Sequence, residues 1–381
     1  MGIFGVVLSA HIANTLVISK AGPRLALARS AEFKIGAKAI EVAAGREGVA
    51  LWELSDCYDS TDWLSGTDIE LNPLAFSATI EGLLDIVGAL SPIEIEPLLS
   101  EWTLESRCLS PHSSRPSWSG ALPCALAQVL QPQFGRPALG STEDARNLIL
   151  IESSHGFWLG SQFNKSLKLS PKELFLQKWA ERPFQIGSAA TNPEVALIVA
   201  SLALGLAKGP RPTIVDACTG SGTLLATLAA RLSSRGNNND GTQLIGLEQS
   251  AATAAGASEN MAMILSNSGN VPVSVKCSDA RLSWPLPAGC DQDLVVVGNL
   301  PWGHTVRDDG TSYEIIRRAA LEGAHSAVFI TSDAFELPCN SSWECVETVP
   351  MTAGRSRGAR SAGPFGCSLV VLRKKNSGCG E

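Results

Sequence analysis

The stretch "TIVDACTGSGT" at residues 213–223 decides the fold of this chain. Its apolar start predicts a short strand that runs into a turn with two glycines, and "TLLATLAARLSSRG" continues from Thr223 with the pattern of a helix. Gly220 and Gly222 allow the backbone to turn tightly, because glycine has no Cβ to clash with a left-handed conformation. A strand, a glycine turn and a helix in this order predict the first step of a parallel α/β sheet.

The same alternation continues on both sides of this stretch. "NPEVALIVASLALGLAKG" precedes it and predicts a helix that is closed by Gly209. The later segments predict further strands and helices in alternation: "TQLIGLEQS", "AATAAGASENMAMILSNSG", "VSVKCSDA", "DLVVVGNLP", "SYEIIRRAALEG" and "SAVFITSD". Two final strands, "WECVETVPM" and "CSLVVLRKK", are joined by a loop rich in glycine and arginine. We therefore expect residues 181–381 to form a Rossmann-like α/β domain, with a mostly parallel sheet and an antiparallel edge hairpin.

The first 180 residues have a different pattern. The short strand-like segments "GVALWEL", "RNLILIE" and "GFWLGSQF" are mixed with helix-like segments such as "GALPCALAQVL". This mixture favours an α+β domain over residues 1–180, and a length of 381 residues also favours two domains.

The composition is that of a soluble globular protein, with 45% hydrophobic and 18% charged residues. The longest apolar run, "VALIVASLALGLA", is shorter than the roughly 20 residues that span a bilayer, so we expect a buried helix and no membrane partner. The 10 cysteines form no C-x-x-C pair and have no histidine-rich partner segment, which argues against a disulfide framework and against a metal site. We expect a reducing compartment, the cytoplasm.

An organellar location is the alternative for this chain. No acidic residue precedes Glu32, whereas Lys20, Arg24 and Arg29 lie before it, and such a composition is typical of a transit peptide. The segments "FGVVLSA" and "TLVISKA" in the same region also fit the strands of a folded domain. Both interpretations stay open at this point.

Basic residues are concentrated in two parts of a chain whose net charge is −7. Residues 107–180 carry 8 basic and 4 acidic side chains, and residues 348–380 carry six basic and no acidic ones. A basic region can bind a polyanion locally, because salt confines its field to about 8–10 Å. The candidates for phosphate contacts are Arg107, Arg115, Arg136, Arg146, Lys165, Lys168, Arg355, Arg357 and Arg360. An ordinary solvated surface is the alternative.

Ligands of doubly wound sheets bind beyond the carboxyl ends of the strands, so the residues there are the candidates for a site. The glycine turn lacks the third glycine of a dinucleotide fingerprint, since Leu225 occupies that position, and it lacks the lysine of a phosphate loop. Glu248 follows the second strand, where a carboxylate can accept from two ribose hydroxyls. Asp279 follows the third strand and could accept from an exocyclic amino group. A plain strand–helix junction, a surface glutamate and a capping aspartate are the structural alternatives.

The fourth strand ends in "GNLPWG", residues 298–303. The side-chain carbonyl of Asn299 and the backbone carbonyl of Leu300 are both hydrogen-bond acceptors. Pro301 stiffens the turn, and Trp302 offers a flat face. Together these groups suit an amino group on a planar ring, although a structural turn with a buried tryptophan is also consistent with the pattern.

The order of these four motifs resembles the class I S-adenosylmethionine-dependent amino-methyltransferases. The likeness is strongest to the RNA methylases that include the THUMP-domain tRNA guanine-N2 methyltransferases. "DACTGSGT" is similar to their Asp-Pro-x-Cys-Gly-Ser-Gly-Thr, and "NLPWG" to their Asn-Leu-Pro-Phe-Gly or Asn-Pro-Pro-Tyr-Gly. The lead-in "RPFQIGSAATNPEVALIVASLA" also fits, and a fainter likeness to a THUMP-like ending covers residues 116–160. Ala217 and Thr219 depart from the family pattern.

The resemblance implies S-adenosyl-L-methionine as the cofactor and RNA, specifically tRNA, as the substrate. It implies a cofactor site formed by Asp216, Thr219, Gly220, Ser221, Gly222, Glu248, Asp279, Ala280 and Asn299. It assigns the catalytic positions to Asn299, Leu300, Pro301 and Trp302, which would hold a base extruded from its stack. Family relatives often work with a small zinc-binding activator subunit, so such a partner is a further expectation.

Two other functions remain open on the sequence alone. The same tetrapeptide can hold any planar amide or amine, so a protein glutamine or a DNA adenine could be the substrate. The altered residues beside the glycines also leave open a methyltransferase fold that has lost catalysis and only binds RNA or a partner protein.

Overall fold

A computed structural model of the chain describes residues 16–20, 37–43, 49–54, 67–89, 102–108, 121–134, 146–153, 156–162, 170–186, 190–209, 211–234, 241–266, 271–287, 293–301, 310–332, 335–338, 341–352 and 366–375. Contacts between Cα atoms divide the chain into two compact units. The elements up to residue 162 belong to the first unit, and the elements from Ser170 onward belong to the second.

The first unit is built on a seven-stranded sheet that is antiparallel except for one pair. Its strands are β1 (Leu16–Lys20), β2 (Ala37–Ala43), β3 (Val49–Leu54), β4 (Thr67–Ser77), β5 (Trp102–Cys108), β6 (Arg146–Ser153) and β7 (Gly156–Gln162), and its helices are α1 (Ile80–Ala89) and α2 (Ala121–Phe134). The strand order is β2-β3-β1-β4-β7-β6-β5, and only β5 and β6 are parallel. Leucines from both helices and from β6 and β7 form its core. The predicted α+β class is confirmed for this unit.

The second unit carries the predicted α/β sheet. Its helices are α3 (Pro171–Ala180), α4 (Pro193–Leu206), α5 (Thr223–Ser234), α6 (Ala251–Leu265) and α7 (Thr311–Leu321). Its strands are β8 (Thr213–Asp216), β9 (Gln243–Glu248), β10 (Val273–Cys277), β11 (Leu294–Asn299), β12 (Ser326–Ser332), β13 (Trp343–Thr352) and β14 (Gly366–Lys374). The order is β10-β9-β8-β11-β12-β14-β13, and β14 runs antiparallel to both of its neighbours. The expected Rossmann-like fold, a mostly parallel sheet with an antiparallel edge hairpin, is confirmed.

Two apolar layers bury the central strands of this sheet. Helices α3 to α6 supply one layer, and α7 with the segment after β10 supplies much of the other. Residues 294–298 of β11 are all buried, which explains why the sequence shows an unbroken apolar run there instead of an alternation.

The most apolar segment of the chain forms α4. Residues 196–203 of this helix are buried in the core, as its sequence predicts. The helix ends at Leu206, however, and not at Gly209. The carboxylate of Asp293 accepts hydrogen bonds from the backbone N–H groups of Lys208 and Gly209, so these residues are bound to the start of β11 and leave the helical path. No helix within the described ranges is long and apolar enough to cross a membrane.

Candidate active site

The site lies where the strand order of the second sheet reverses, between β8 and β11. Val297 pairs with Asp216 in parallel register, and the N–H of Ala217 donates to the Val297 carbonyl at 2.9 Å. The glycine turn after β8 and the turn after β11 therefore begin side by side at one edge of the sheet. This switch point is the place where doubly wound sheets bind their ligands.

The glycine turn needs both of its glycines. Gly220 has φ +53° and Gly222 has φ +87°, values that side-chain-bearing residues rarely adopt. A Cβ on Gly220 would lie 3.1 Å from Ile186 Cδ1, and one on Gly222 would lie 3.0 Å from Met261 Cε. The buried Thr219 braces the turn, since its hydroxyl donates to the Asp216 carbonyl at 3.1 Å.

Asp216 is fully buried at the end of β8. Its Oδ1 accepts from the N–H of Cys218 at 3.3 Å, while its buried Oδ2 has no partner in the described part of the chain. Burial, with a smaller contribution from the charge of Glu248, raises the pKa of Asp216 to about 7. Burial, and to a smaller extent the carboxylates of Asp216, Glu248 and Asp279, raise the pKa of the Cys218 thiol. The thiol is therefore protonated at neutral pH.

Glu248 ends β9 and contacts the glycine turn. Its Oε2 accepts from the N–H of Gly220 at 3.1 Å, and its Oε1 accepts from the N–H of Ser250 at 2.9 Å. Each carboxylate oxygen has more than one acceptor position, so both can still bind a ligand hydroxyl. The carboxylate thus joins the turn after β8 to the end of β9.

Asp279, after β10, is paired with Arg281. The Arg281 Nη2 lies 2.6 Å from Asp279 Oδ2, and its Nε lies 2.9 Å from Oδ1. These hydrogen bonds hold the pKa of Asp279 below its usual range. The neighbouring Ala280 is buried, and its carbonyl accepts from the indole N–H of Trp284 at 2.7 Å. A ligand amino group would therefore share the Asp279 carboxylate with a guanidinium.

Asn299 ends β11 in a fixed orientation. Its Nδ2 donates to the hydroxyl of Thr191 at 3.1 Å, while its buried Oδ1 accepts no hydrogen bond from any described residue. The N–H of Leu300 donates to the Ile330 carbonyl at 2.9 Å, which anchors the backbone on β12. The Pro301 carbonyl accepts from the Ser312 hydroxyl at 3.2 Å. Trp302 lies outside the described residues, so its stacking role stays a prediction.

Asn260 is a site residue that the sequence analysis missed. It is fully buried on α6, and its Nδ2 donates to the carbonyls of Phe184 and Ser221, each at 2.9 Å. Its Oδ1 accepts from the N–H of Phe184 at 3.0 Å. All the hydrogen-bonding groups of this amide thus join the lead-in segment to the glycine turn. The sequence signal was a polar residue on the otherwise apolar buried face of this helix.

Thr191 is the second missed residue. It lies in the lead-in segment just before α4, 108 positions before Asn299 in the chain. A threonine before Asn192, the N-cap of the helix, has no distinctive pattern of its own. Its role becomes visible only when the contact with Asn299 is known.

The candidate phosphate contacts fall mostly outside the described residues. Arg107 and Arg146 lie on the paired strands β5 and β6 of the first unit. The remaining candidates, all outside the described residues, are Arg115, Arg136, Lys165, Lys168, Arg355, Arg357 and Arg360. Their role in binding nucleic acid stays a prediction.

Comparison with known proteins supports a methyltransferase assignment for the second unit. Residues 172–326 match the family described as N-6 DNA Methylase. The chain is 30% identical over 128 residues to Protein-L-isoaspartate O-methyltransferase 2 of Marinobacter nauticus, a match that covers 34% of this chain and 52% of that protein. The chain thus spans about half the length of this curated relative.

Two solved structures are similar along most of the chain. TrmN from Thermus thermophilus shares 18% identity, with 95% of this chain and 100% of that chain covered and a TM-score of 0.49. A possible methylase from Clostridium difficile 630 shares 13% identity, with 95% and 98% covered and the same TM-score of 0.49.

The family match indicates S-adenosylmethionine as the cofactor, and the residues present fit it. This cofactor carries an ammonium, a sulfonium, ribose hydroxyls and an adenine amino group, which are positive charges and hydrogen-bond donors. The site offers the unpartnered Oδ2 of Asp216 as a polar group and the carboxylates of Glu248 and Asp279 as negatively charged acceptors. The glycine turn beside them allows the backbone to approach a ligand closely.

Proposed function

We propose that the second unit transfers a methyl group from S-adenosylmethionine to an exocyclic amino nitrogen of an RNA base, specifically guanine N2 in tRNA. One observation carries the proposal. The Oδ1 of Asn299 is buried and has no partner among the described residues, while its Nδ2 is held by Thr191. A buried acceptor without a donor costs about 1–3 kcal/mol, so its presence at a switch point favours a ligand that brings the donor.

The orientation of the amide selects the chemistry of that ligand. The bond from Nδ2 to the Thr191 hydroxyl holds the amide in place, and Oδ1, which has no partner among the described residues, is the acceptor offered to a ligand. An acceptor in this position binds an N–H group and repels a carbonyl or a carboxylate. The backbone of Leu300, held by Ile330, adds a second carbonyl at the same turn. Two acceptors can hold the two hydrogens of one –NH₂ group.

This arrangement supplies catalysis by positioning. When bound, the cofactor provides a methyl group on a positively charged sulfur, which is a good leaving group. The two carbonyls hold the hydrogens of the target –NH₂ group, so that its lone pair is directed at the methyl carbon. When the nitrogen gains the methyl group, it releases one of these hydrogens as a proton to water. Carbonyl dipoles that already point at the reacting group stabilise the transition state more than mobile water does, because they do not have to reorient during the reaction.

An RNA substrate is supported by charge and by the family resemblance. Residues 107–180 of the chain carry 8 basic and 4 acidic side chains, an excess that suits a polyanion. The choice of guanine N2 and of tRNA rests on the likeness of "DACTGSGT" and "NLPWG" to the tRNA guanine-N2 methyltransferases. A THUMP-like role of the first unit and a zinc-binding activator subunit are further proposals from the same likeness.

A second candidate substrate is the N6 amino group of adenine in DNA. It is favoured by the match of residues 172–326 to the N-6 DNA Methylase family. Adenine N6 and guanine N2 are both amino groups on a planar ring, so the Asn299 acceptor fits either one.

A methyl-transfer assay separates these possibilities. Purified protein is incubated with labelled S-adenosylmethionine and, in parallel, with total tRNA, unmethylated DNA and a protein extract. Nuclease digestion and mass spectrometry then identify the methylated nucleoside. N2-methylguanosine from tRNA supports the proposal, N6-methyladenine from DNA supports the second candidate, and label only in protein contradicts both. Heat of cofactor binding without any transfer would indicate a binding protein, unless an activator subunit restores transfer.

A further inference from the structure

Two aromatic side chains of the second unit are stacked at its surface. The rings of Tyr313 and Phe335 have centroids 5.3 Å apart and an interplanar angle of 29°. Phe335 packs against the core layer that includes α7, while Tyr313 is 39% exposed. The Phe335 ring is therefore held by the core, and the Tyr313 ring stacked on it is accessible to solvent.

The two rings are carried by segments that contact residues 299–301, the turn after β11. Tyr313 directly follows Ser312, whose hydroxyl binds the carbonyl of Pro301 at 3.2 Å. Phe335 follows β12, and this strand binds the N–H of Leu300 through the Ile330 carbonyl. Both aromatic residues thus come from segments that hold the turn after β11. The accessible ring is one residue from an anchor of the catalytic turn.

We infer that Tyr313 and Phe335 form a stacking platform for the base that neighbours the methylated base in a single-stranded segment of the substrate. The inference rests on the proposed function, because it takes a nucleic acid as the substrate. A base extruded toward Asn299 separates from its neighbour, which then needs a new stacking surface. An aromatic ring supplies this surface for any base, since every base has a flat π face. The platform therefore selects an unpaired strand more than it selects a sequence.

Binding of a short RNA tests the platform without any need for turnover. The probe is a single-stranded RNA of about 12 nucleotides with a central guanosine, titrated in the presence of the product S-adenosylhomocysteine. We expect Tyr313→Ala to raise the Kd about ten-fold or more, in line with the loss of one stacked base, and Tyr313→Phe to leave it unchanged. Leu321→Ala is the matched control, because Leu321 is 62% exposed at the other end of the same helix.

Two further RNAs make the test specific for the neighbouring base. In one an abasic site replaces the nucleotide on the 5′ side of the guanosine, and in the other it replaces the nucleotide on the 3′ side. The wild-type protein should bind one of these abasic RNAs about ten-fold more weakly, and Tyr313→Ala should bind it no more weakly than it binds the intact RNA. Such non-additivity is the mark of a direct contact.

The outcomes separate this inference from the proposed function. Equal affinity of Tyr313→Ala and wild type for the RNA overturns the platform, even when the protein methylates a base. Tyr313-dependent binding without methyl transfer to any nucleic acid upholds the platform and contradicts the proposed activity. A wild-type protein that binds no oligonucleotide overturns both.

Discussion

The side-chain amide of Asn299 is tied to the hydroxyl of Thr191 by a hydrogen bond of 3.1 Å. This bond decides which atom of the amide is presented to a ligand. With one Nδ2 hydrogen engaged by Thr191, the buried Oδ1 has no partner among the described residues, and a carbonyl oxygen can only accept. The proposed preference of the site for an amino group thus depends on a residue from a different part of the chain.

Replacement of Thr191 should impair catalysis more than cofactor binding. In Thr191→Val the hydroxyl is lost with little change of shape, so the Asn299 amide is free to rotate and Oδ1 is no longer fixed. We expect kcat to fall about 10- to 100-fold, because the acceptor is no longer preorganised. Thr191→Ser keeps the hydroxyl and should retain most of the rate. An unchanged kcat in Thr191→Val would show that the bond does not orient the amide.

Replacement of Asn260 should lower both the stability of the second unit and its affinity for the cofactor. Asn260→Ala removes the donors to the carbonyls of Phe184 and Ser221 and the acceptor for the Phe184 N–H. Loss of these buried bonds should lower the free energy of unfolding by about 2–4 kcal/mol. The affinity for S-adenosylmethionine in calorimetry should fall as well, because Ser221 belongs to the glycine turn. Ser258→Ala, on the same helix with a local bond to the Ala254 carbonyl, is the control and should alter neither quantity strongly.

The buried carboxyl of Asp216 should make the stability of the protein depend on pH. Its pKa is raised from 3.8 to about 7, chiefly by burial, so the folded state holds this proton more tightly than the unfolded state. The stability contributed by the protonated carboxyl is complete below pH 4 and is lost as the pH rises toward 7. A pKa raised from 3.8 to about 7 corresponds to a loss on the order of 4 kcal/mol in the free energy of unfolding over this pH interval.

Asp216→Asn tests this dependence, because an amide does not titrate in this range. Urea unfolding between pH 4 and pH 8 should show wild type losing stability relative to the variant as the pH rises. Parallel stability profiles of the two proteins would contradict the raised pKa of Asp216.

A methyl group at Gly256 should disturb the lead-in segment. Gly256 lies in α6, and a Cβ there would meet the Phe184 ring at 2.2 Å. We expect Gly256→Ala to lower the free energy of unfolding by about 1–3 kcal/mol, because Phe184 must move. Gly88→Ala in α1 is the matched substitution, since its Cβ would have an ordinary contact of 3.6 Å. It should stabilise its helix by roughly 0.5–1 kcal/mol, and thermal unfolding measures both effects.

The sequence predicts the sheet and the position of the site because both depend on local patterns. Apolar runs such as that of β11 mark buried strands, and the ends of parallel strands meet at one edge. The glycine turn can also be predicted from the sequence, since the positive φ values of Gly220 and Gly222 favour glycine. These features arise within a few neighbouring residues.

The missed features depend on contacts between distant residues. The bonds of Thr191 to Asn299 and of Asn260 to Phe184 join residues 108 and 76 positions apart, and no periodicity marks them. The end of α4 was placed wrongly at Gly209 for the same reason, because Asp293, 84 positions later, binds the backbone there. Only the three-dimensional arrangement shows which polar residues hold the turns after β8 and β11.

The Asn299→Ala variant gives the most direct test of the central claim, that this side chain holds the amino group to be methylated. Its affinity for S-adenosylmethionine and its rate of methyl transfer to tRNA are measured beside those of wild type. The buried acceptor predicts near-normal cofactor affinity and a transfer rate reduced about 100- to 1,000-fold, as for other preorganised groups of an active site. Transfer at the wild-type rate, or loss of cofactor binding in a folded variant, would contradict the role assigned to Asn299.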